Sequence, residues 1–330
     1  MDLESRMKFI QESEYLRVTS NLWWDKLTKK MTSGSRRDII HWALNTASLE
    51  DTGFGGNMNF DDMKIVETEF TNLSVGKGLK LRRPQFEDLD GNGVDLALEW
   101  AKQIGSQVAY WPQKSIVKLL KDGALATSLG YDGVPFFSAS HPNYPGYAAN
   151  GTYANLITGK QIYGVTVDVA LANLQSVFST IASIKMPDGE TPRFLRPAGI
   201  LCNPLTYPVA VQLTNARFLA QAATGGGAAS ADVQALIGAL GYGQPIMADE
   251  FAGFESNTTY FVFCDIVTSS ELGGMVYIDR EPITTRYYSG RSGSLGIDAQ
   301  LDRSDELEWH ATGRNVAGYG HPYAIFKVTA

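Results

Sequence analysis

Asp132, Ser138, Ser140 and His141 lie within ten residues of one another, and together they could share a proton. In such a cluster a serine would be the nucleophile, the imidazole its base and the carboxylate the group that orients the base. The surrounding residues argue against that chemistry. Neither serine sits in a Gly-x-Ser-x-Gly elbow, and His141 precedes Pro142, which restricts its backbone to extended conformations. Read structurally, Gly123 closes a helix in the left-handed conformation. Asp132-Gly133 is a turn signal, and Pro135 fixes the chain ahead of Phe136 and Phe137. Ser140-His141-Pro142 then reads as a turn.

The remaining chemistry is sparse. The carboxylate pairs Asp61-Asp62, Glu87-Asp88 and Asp249-Glu250 read as solvated turns, with nothing around them that suits general-acid work. His41, His141, His310 and His321 show no His-x-x-x-His spacing, and Cys202 and Cys264 stand alone, so no metal centre is expected. Residues 290–296 and 313–320 are glycine-rich but lack the strand–loop–helix setting of a phosphate loop, as does 220–231. The reading is of a chain with no enzyme, cofactor or metal chemistry.

Composition narrows the field further. With 330 residues, 44% of them hydrophobic and 19% charged, the chain can bury a substantial core and is globular. A net charge of −7 argues against a sequence-independent grip on nucleic acid, which needs clustered Lys and Arg. It is compatible with a protein that encloses DNA without adhering to it. No run approaches the ~18 apolar residues of a membrane span. The charged N-terminus lacks the apolar centre of a signal peptide, and the isolated cysteines read as thiols in a reducing compartment. Synthesis and assembly in the cytoplasm are therefore expected.

The elements that must position these residues follow from periodicity. Residues 92–122 carry a helical stripe through Ala97, Leu98, Ala101, Ile104 and Val108, resumed at Ile116, Val117, Leu119 and Leu120. A break or kink is expected at Trp111-Pro112. A second helix runs over about 167–185, and Asn203-Pro204 signals a helix start. Strands are expected at 199–202, 260–264, 275–278, 284–288, 306–310 and 323–328, while 220–231 reads as a mobile loop. Two short alternating runs, 64–70 and 79–83, read as a polar two-stranded projection turning at Thr71-Asn72 or at Gly76-Lys77-Gly78. An isolated hairpin is marginal in water, so something outside it must support it. Residues 1–58 hold Trp23, Trp24 and Trp42 with little apolar sequence beside them. These side chains must cover either their own domain or a neighbouring subunit, where Trp is favoured.

Taken together, the helix end 116–123, the run Tyr131-Asp132-Gly133-Val134-Pro135-Phe136-Phe137 and the turn Ser140-His141-Pro142 resemble the major head subunit (gpT) of Mu-like phages. That family follows a Gly-stopped spine helix with an Asp-Gly-x-Pro-Phe-Phe strand and a His-Pro turn. The resemblance covers about residues 60–330, best at 92–142 and 307–319, while 143–166 and 220–231 match no pattern of it. It implies an α+β fold of the Hong Kong 97 type: N-terminal arm 1–58, E-loop 59–90, P-domain with spine helix 91–194, A-domain 195–275 and P-domain return strands 276–330. It also implies a major capsid protein that self-assembles as hexamers and pentamers into an icosahedral virion shell around double-stranded DNA. The implied partners are a separate scaffolding protein, a portal and decoration proteins, with no membrane and no cofactor. Contacts between subunits are then expected from Trp23, Trp24, Trp42, Lys64, Glu67, Glu69, Lys77, Lys80, Arg82 and Arg83. An encapsulin-type nanocompartment shell shares the implied fold, and a Ser/His hydrolase is the alternative from a different class.

Overall fold

The computed structural model describes residues 3–43, 65–82, 92–143, 151–186, 189–214, 244–253, 256–266, 273–287 and 306–330. In chain order these form α1 (Leu3–Thr19), β1 (Thr28–Thr32), β2 (Arg37–Ala43), β3 (Ile65–Thr71), β4 (Leu73–Arg82) and α2 (Asn92–Asp122). Next come β5 (His141–Pro142), β6 (Thr152–Tyr153), β7 (Leu156–Ile157), α3 (Val167–Ala182), β8 (Leu195–Cys202) and α4 (Tyr207–Thr214). The chain closes with β9 (Gln244–Met247), β10 (Tyr260–Ile266), β11 (Met275–Tyr287), β12 (Glu306–Tyr319) and β13 (Ile325–Val328). The expected loop at 220–231 lies outside the described residues.

Helix α2 runs 31 residues without interruption, so the break expected at Pro112 does not occur. Proline removes one backbone donor, but side chains hold the helix on both sides of it. Trp111 donates from Nε1 to Asn315 Oδ1 at 2.9 Å. Gln113 accepts the Trp23 backbone N–H at 2.9 Å and donates to Glu250. Helix α1 lies against α2 at Gly105, where a Cβ would stand 2.6 Å from the Gln11 carbonyl oxygen. Beside that approach, Glu14 accepts hydrogen bonds from Arg17 and from Ser106 Oγ, which hold its carboxyl down at about 2.

Two sheets organise the rest. The first has the order β1-β11-β12-β4, with β1 parallel to β11 and the other pairs antiparallel. The second has the order β7-β13-β10-β8-β9, parallel at both edges and antiparallel in the middle. Residues 325–328, the last of the strands expected from the sequence, pair with β10 of the second sheet. Helices α3 and α4 cover that second sheet through Leu171, Leu174, Val177, Ala210 and Leu213 against Ile200, Val262 and Phe326. Cys202 on β8 and Cys264 on β10 are free thiols. Burial pushes Cys202 up to about 12 and moves Cys264 in the same direction.

The projection expected from 64–70 pairing with 79–83 is corrected by the register. Strand β3 pairs with β2, from Arg37↔Thr71 to Ala43↔Ile65, while β4 pairs along β12. Asn72 alone separates β3 from β4. It is buried; its backbone N–H bonds the Arg36 carbonyl at 2.9 Å and its Nδ2 bonds Asp38 Oδ2 at 2.7 Å. These bonds hand the chain from one pairing to the other without a reversal. Gly76 and Gly78, read as a turn, lie inside β4 against β12. The two-stranded ribbon is thus β2–β3, and its root packs Ile40, Trp42 and Phe70 on Val276 and Ile278 of β11.

The arm also folds differently from one of its two readings. Trp23 is 4% exposed, Trp24 8% and Trp42 2% within the single chain. Trp23 and Trp24 enter a core with Ile116, Leu120, Phe251, Phe261 and Tyr277, and Lys30 lies 4.4 Å above the Trp24 ring. These tryptophans cover their own chain, because α2 and the 249–253 turn supply the apolar surface that residues 1–58 lack.

Phe70 fits the body only because residue 318 has no side chain: a Cβ there would stand 2.0 Å from the Phe70 ring. Gly318→Ala is expected to destabilise the chain by about 1–3 kcal/mol through overpacking. In urea unfolding, adding Phe70→Ala to that variant should cost less than Phe70→Ala does alone, because the clash disappears with the ring.

Candidate functional site

The proton-sharing residues of the sequence do meet, but inside the protein. Asp132 Oδ2 and His141 Nδ1 lie 2.6 Å apart, with both side chains almost fully buried. On the opposite side of the ring, Nε2 faces the Phe136 carbonyl oxygen at 3.2 Å and Asn155 Oδ1 at 3.1 Å. Asn155 donates from Nδ2 to the carbonyls of Phe136 and Pro322 and accepts the Ser138 N–H at 2.8 Å, so its oxygen is fixed as an acceptor. Both ring nitrogens are thus taken up by buried partners within the subunit, and neither is hydrogen-bonded to a serine hydroxyl. The Ser138 hydroxyl instead accepts the Ser140 N–H at 3.2 Å.

The segment is shaped to deliver these groups. Phe137 N–H bonds the Gly123 carbonyl and Phe136 N–H that of Ser128, at 2.8 Å each, which folds the chain back on the end of α2. Gly133 takes φ +77° at the turn. The expected turn at Ser140-His141-Pro142 is in fact the two-residue strand β5 paired to β6, and the His141 ring stacks on Tyr153 at 5.2 Å. Asn155, which carries half of this network, was not singled out in the sequence: a lone Asn in a polar connector gives no signal.

A column of rings stands beside this node. Trp42 stacks on Tyr131 at 5.1 Å and meets His321 edge-on at 4.7 Å; His321 stacks on Tyr323 at 4.6 Å. The Arg193 guanidinium lies 4.0 Å over the Tyr323 ring. Trp42 Nε1 donates to Thr68 Oγ1 at 2.9 Å, tying the column to both strands of the ribbon.

The remaining contact candidates are exposed and spread over two surfaces. On the ribbon, Glu69 pairs with Arg37 at 3.1 Å and Glu67 with His41 at 3.3 Å, so these carboxylates are engaged within the subunit. Lys77, Lys80 and Arg82 line β4 at the edge of the first sheet, with Lys80 3.5 Å from Glu308. Lys64 and Arg83 lie outside the described residues. Sequence reasoning passed over Phe194, which is 55% exposed and holds φ +54°, a left-handed conformation unfavourable for a residue with a side chain.

Residues 7–170, which include most of α1, the ribbon, α2 and the Asp132–His141 node, match the family described as Mu-like prophage major head subunit gpT. By sequence, that span is similar to the Mu-like gpT head subunits. The major capsid protein of Escherichia phage Mu is 27% identical to the chain over 132 residues, which are 40% of this chain and 41% of that protein. The fold extends the likeness beyond the matched span. The mature capsid of bacteriophage PhiM1 superposes with a TM-score of 0.55 at 12% identity, covering 94% of this chain and 87% of that one. The capsid of cyanophage P-SCSP1u gives 0.53 at 11% identity, covering 93% and 88%. The chain has the Hong Kong 97-type α+β capsid fold.

His141→Ala or Asp132→Asn should lower unfolding stability by about 3 kcal/mol, because each strands the other buried partner. Ser140→Ala, at an exposed residue, should change it by less than about 0.5 kcal/mol. Equilibrium unfolding of the three variants checks the contrast.

Proposed function

We propose that this chain is the major capsid protein of a tailed bacteriophage, assembling as hexamers and pentamers into an icosahedral shell that encloses double-stranded DNA in the virion. The family match over residues 7–170 carries this reading. It favours a phage head over the nanocompartment alternative. The proposed P-domain is α2 with the first sheet, and the proposed A-domain is the second sheet with α3 and α4. The E-loop is the β2–β3 ribbon, which replaces the 59–90 assignment. Its exposed residues, with the β4 edge at Lys77, Lys80 and Arg82, are the proposed contacts between copies. Many contacts of modest area, repeated by symmetry, supply an avidity that no single one provides. A separate scaffolding protein, a portal and decoration proteins are the partners this role calls for.

The chain acts without catalysis in this reading. The Asp132–His141 pair is a buried brace whose ring nitrogens both face groups of the same subunit, which supports this reading. A fluorophosphonate probe should leave the intact protein unlabelled; stoichiometric labelling lost in Ser138→Ala or Ser140→Ala would restore the hydrolase reading.

Electron microscopy of the purified protein tests assembly. Ala43 and Ile65 are register partners, so a short turn can join them in place of residues 44–64. That variant is expected to remain a folded, soluble subunit and to form no shells. Closed particles of normal size would remove the ribbon from the proposed contacts.

A further inference from the structure

We propose that His321 is an acid-operated latch on the root of the β2–β3 ribbon: neutral, its ring seats Trp42, and protonated, it gives up that seat and the ribbon root detaches from the body. This goes beyond the capsid reading and concerns the single subunit.

The geometry sets the conditions. His321 is tied by its backbone N–H to the Gly273 carbonyl at 3.2 Å, so the ring is held at a fixed place beside the first sheet. One edge of that ring meets Trp42 of β2 and its face lies on Tyr323. Tyr131, from the segment after α2, stands perpendicular at 5.9 Å. Part of the residue reaches solvent, but Nδ1 is fully covered and has no hydrogen-bond partner. A neutral ring tolerates this, since an unmet acceptor costs about 1–3 kcal/mol. A protonated ring would present a covered N–H⁺ with nothing to receive it.

The charges nearby do not compensate. Arg193, over the far side of Tyr323, is a cation. Asp132, next in sequence to Tyr131, is engaged by His141. Tyr131 and Tyr153 carry no compensating charge, since burial raises their hydroxyls well above the usual value. Burial first, and Arg193 second, push the His321 imidazole down to about 3 from an ordinary value of 6.5. Between those limits the detached state binds one proton more than the seated state. Seating therefore weakens as pH falls, about tenfold per unit. His41 lies exposed on the ribbon, 3.3 Å from Glu67 and away from this ring.

The release would be local to the ribbon root. Trp42 is bound to Thr68 on the neighbouring strand, so β2 and β3 leave together, whereas β11 and β12 keep their long pairing.

The test is hydrogen–deuterium exchange on the full-length soluble subunit from pH 7 to pH 4.5, normalised to intrinsic exchange. Protection of 37–43 and 65–71 should fall about tenfold per unit below pH 6.5, while β12 stays protected. His321→Phe keeps a ring under Trp42 but cannot titrate, so its ribbon protection should be flat over that range. Unchanged protection in the parent protein, or the same slope in His321→Phe, would overturn the proposal. Should the Phe ring fail to pack, the ring-proton shifts of His321 in the parent decide: titration near 6.5 with the ribbon still protected overturns it, and titration that follows loss of protection supports it.

Discussion

The buried pairing of Asp132 with His141 is the constraint on which the neighbouring architecture depends. Taking a carboxylate and an imidazole out of water costs several kcal/mol for each ion unless partners replace the water completely. That requirement draws in Asn155, the Phe136 and Pro322 carbonyls and the stacked ring of Tyr153, from three separate stretches of chain. Once these are in place, the segment after α2 has one position, and Tyr131 is set where Trp42 must stack. The ribbon root, the end of α2 and the turn leading into β13 are thereby tied to one another through a handful of directional bonds.

Around that node the packing is done by rings and by missing side chains. Phe136 stacks on Tyr319 of β12 at 4.5 Å, and Phe137 meets Phe261 of β10 at 5.6 Å, so adjacent residues of one segment reach both sheets. Gly105, Gly199 and Gly318 each lie where a Cβ would come within 2.6 Å of a neighbour. They mark the closest approaches of α1 to α2, of β8 to Phe263 and of the ribbon to β12. An exposed β-ribbon gains its order from such slots in the body it leaves, since it has no core of its own.

Much of the fold was legible in the sequence where periodicity is strong. The stripe of α2, the helix near 167, and the apolar runs of β8, β10 and β11 all formed as read. So did the Asn203 signal, whose side-chain oxygen accepts the Thr206 N–H just ahead of α4. Pairing was not legible. Residues 64–70 and 79–83 alternate equally well against any partner, and the choice was made by Asn72 and by distant strands. Pro112 misled because its cost is local, while Trp111 and Gln113 offset it through bonds to residues far along the chain. Gly313 and Gly318, in a run whose glycines gave no phosphate loop, sit inside β12 opposite Ile283 and Phe70. The Asp–Ser–His cluster was read as a turn, and its buried form could not be seen without Asn155.

The two thiols have a practical consequence for chemistry on this protein. Both are held far from the ionised form that reacts with electrophiles, one behind α4 and the other in the middle strand of the second sheet. A cysteine introduced on the outside would therefore be the reactive one by a wide margin. Dyes, spin labels or affinity tags could be placed at a chosen point without first deleting the native sulfurs. If the chain builds a shell, each such label would be repeated by symmetry, making the particle an addressable scaffold whose interior chemistry remains silent.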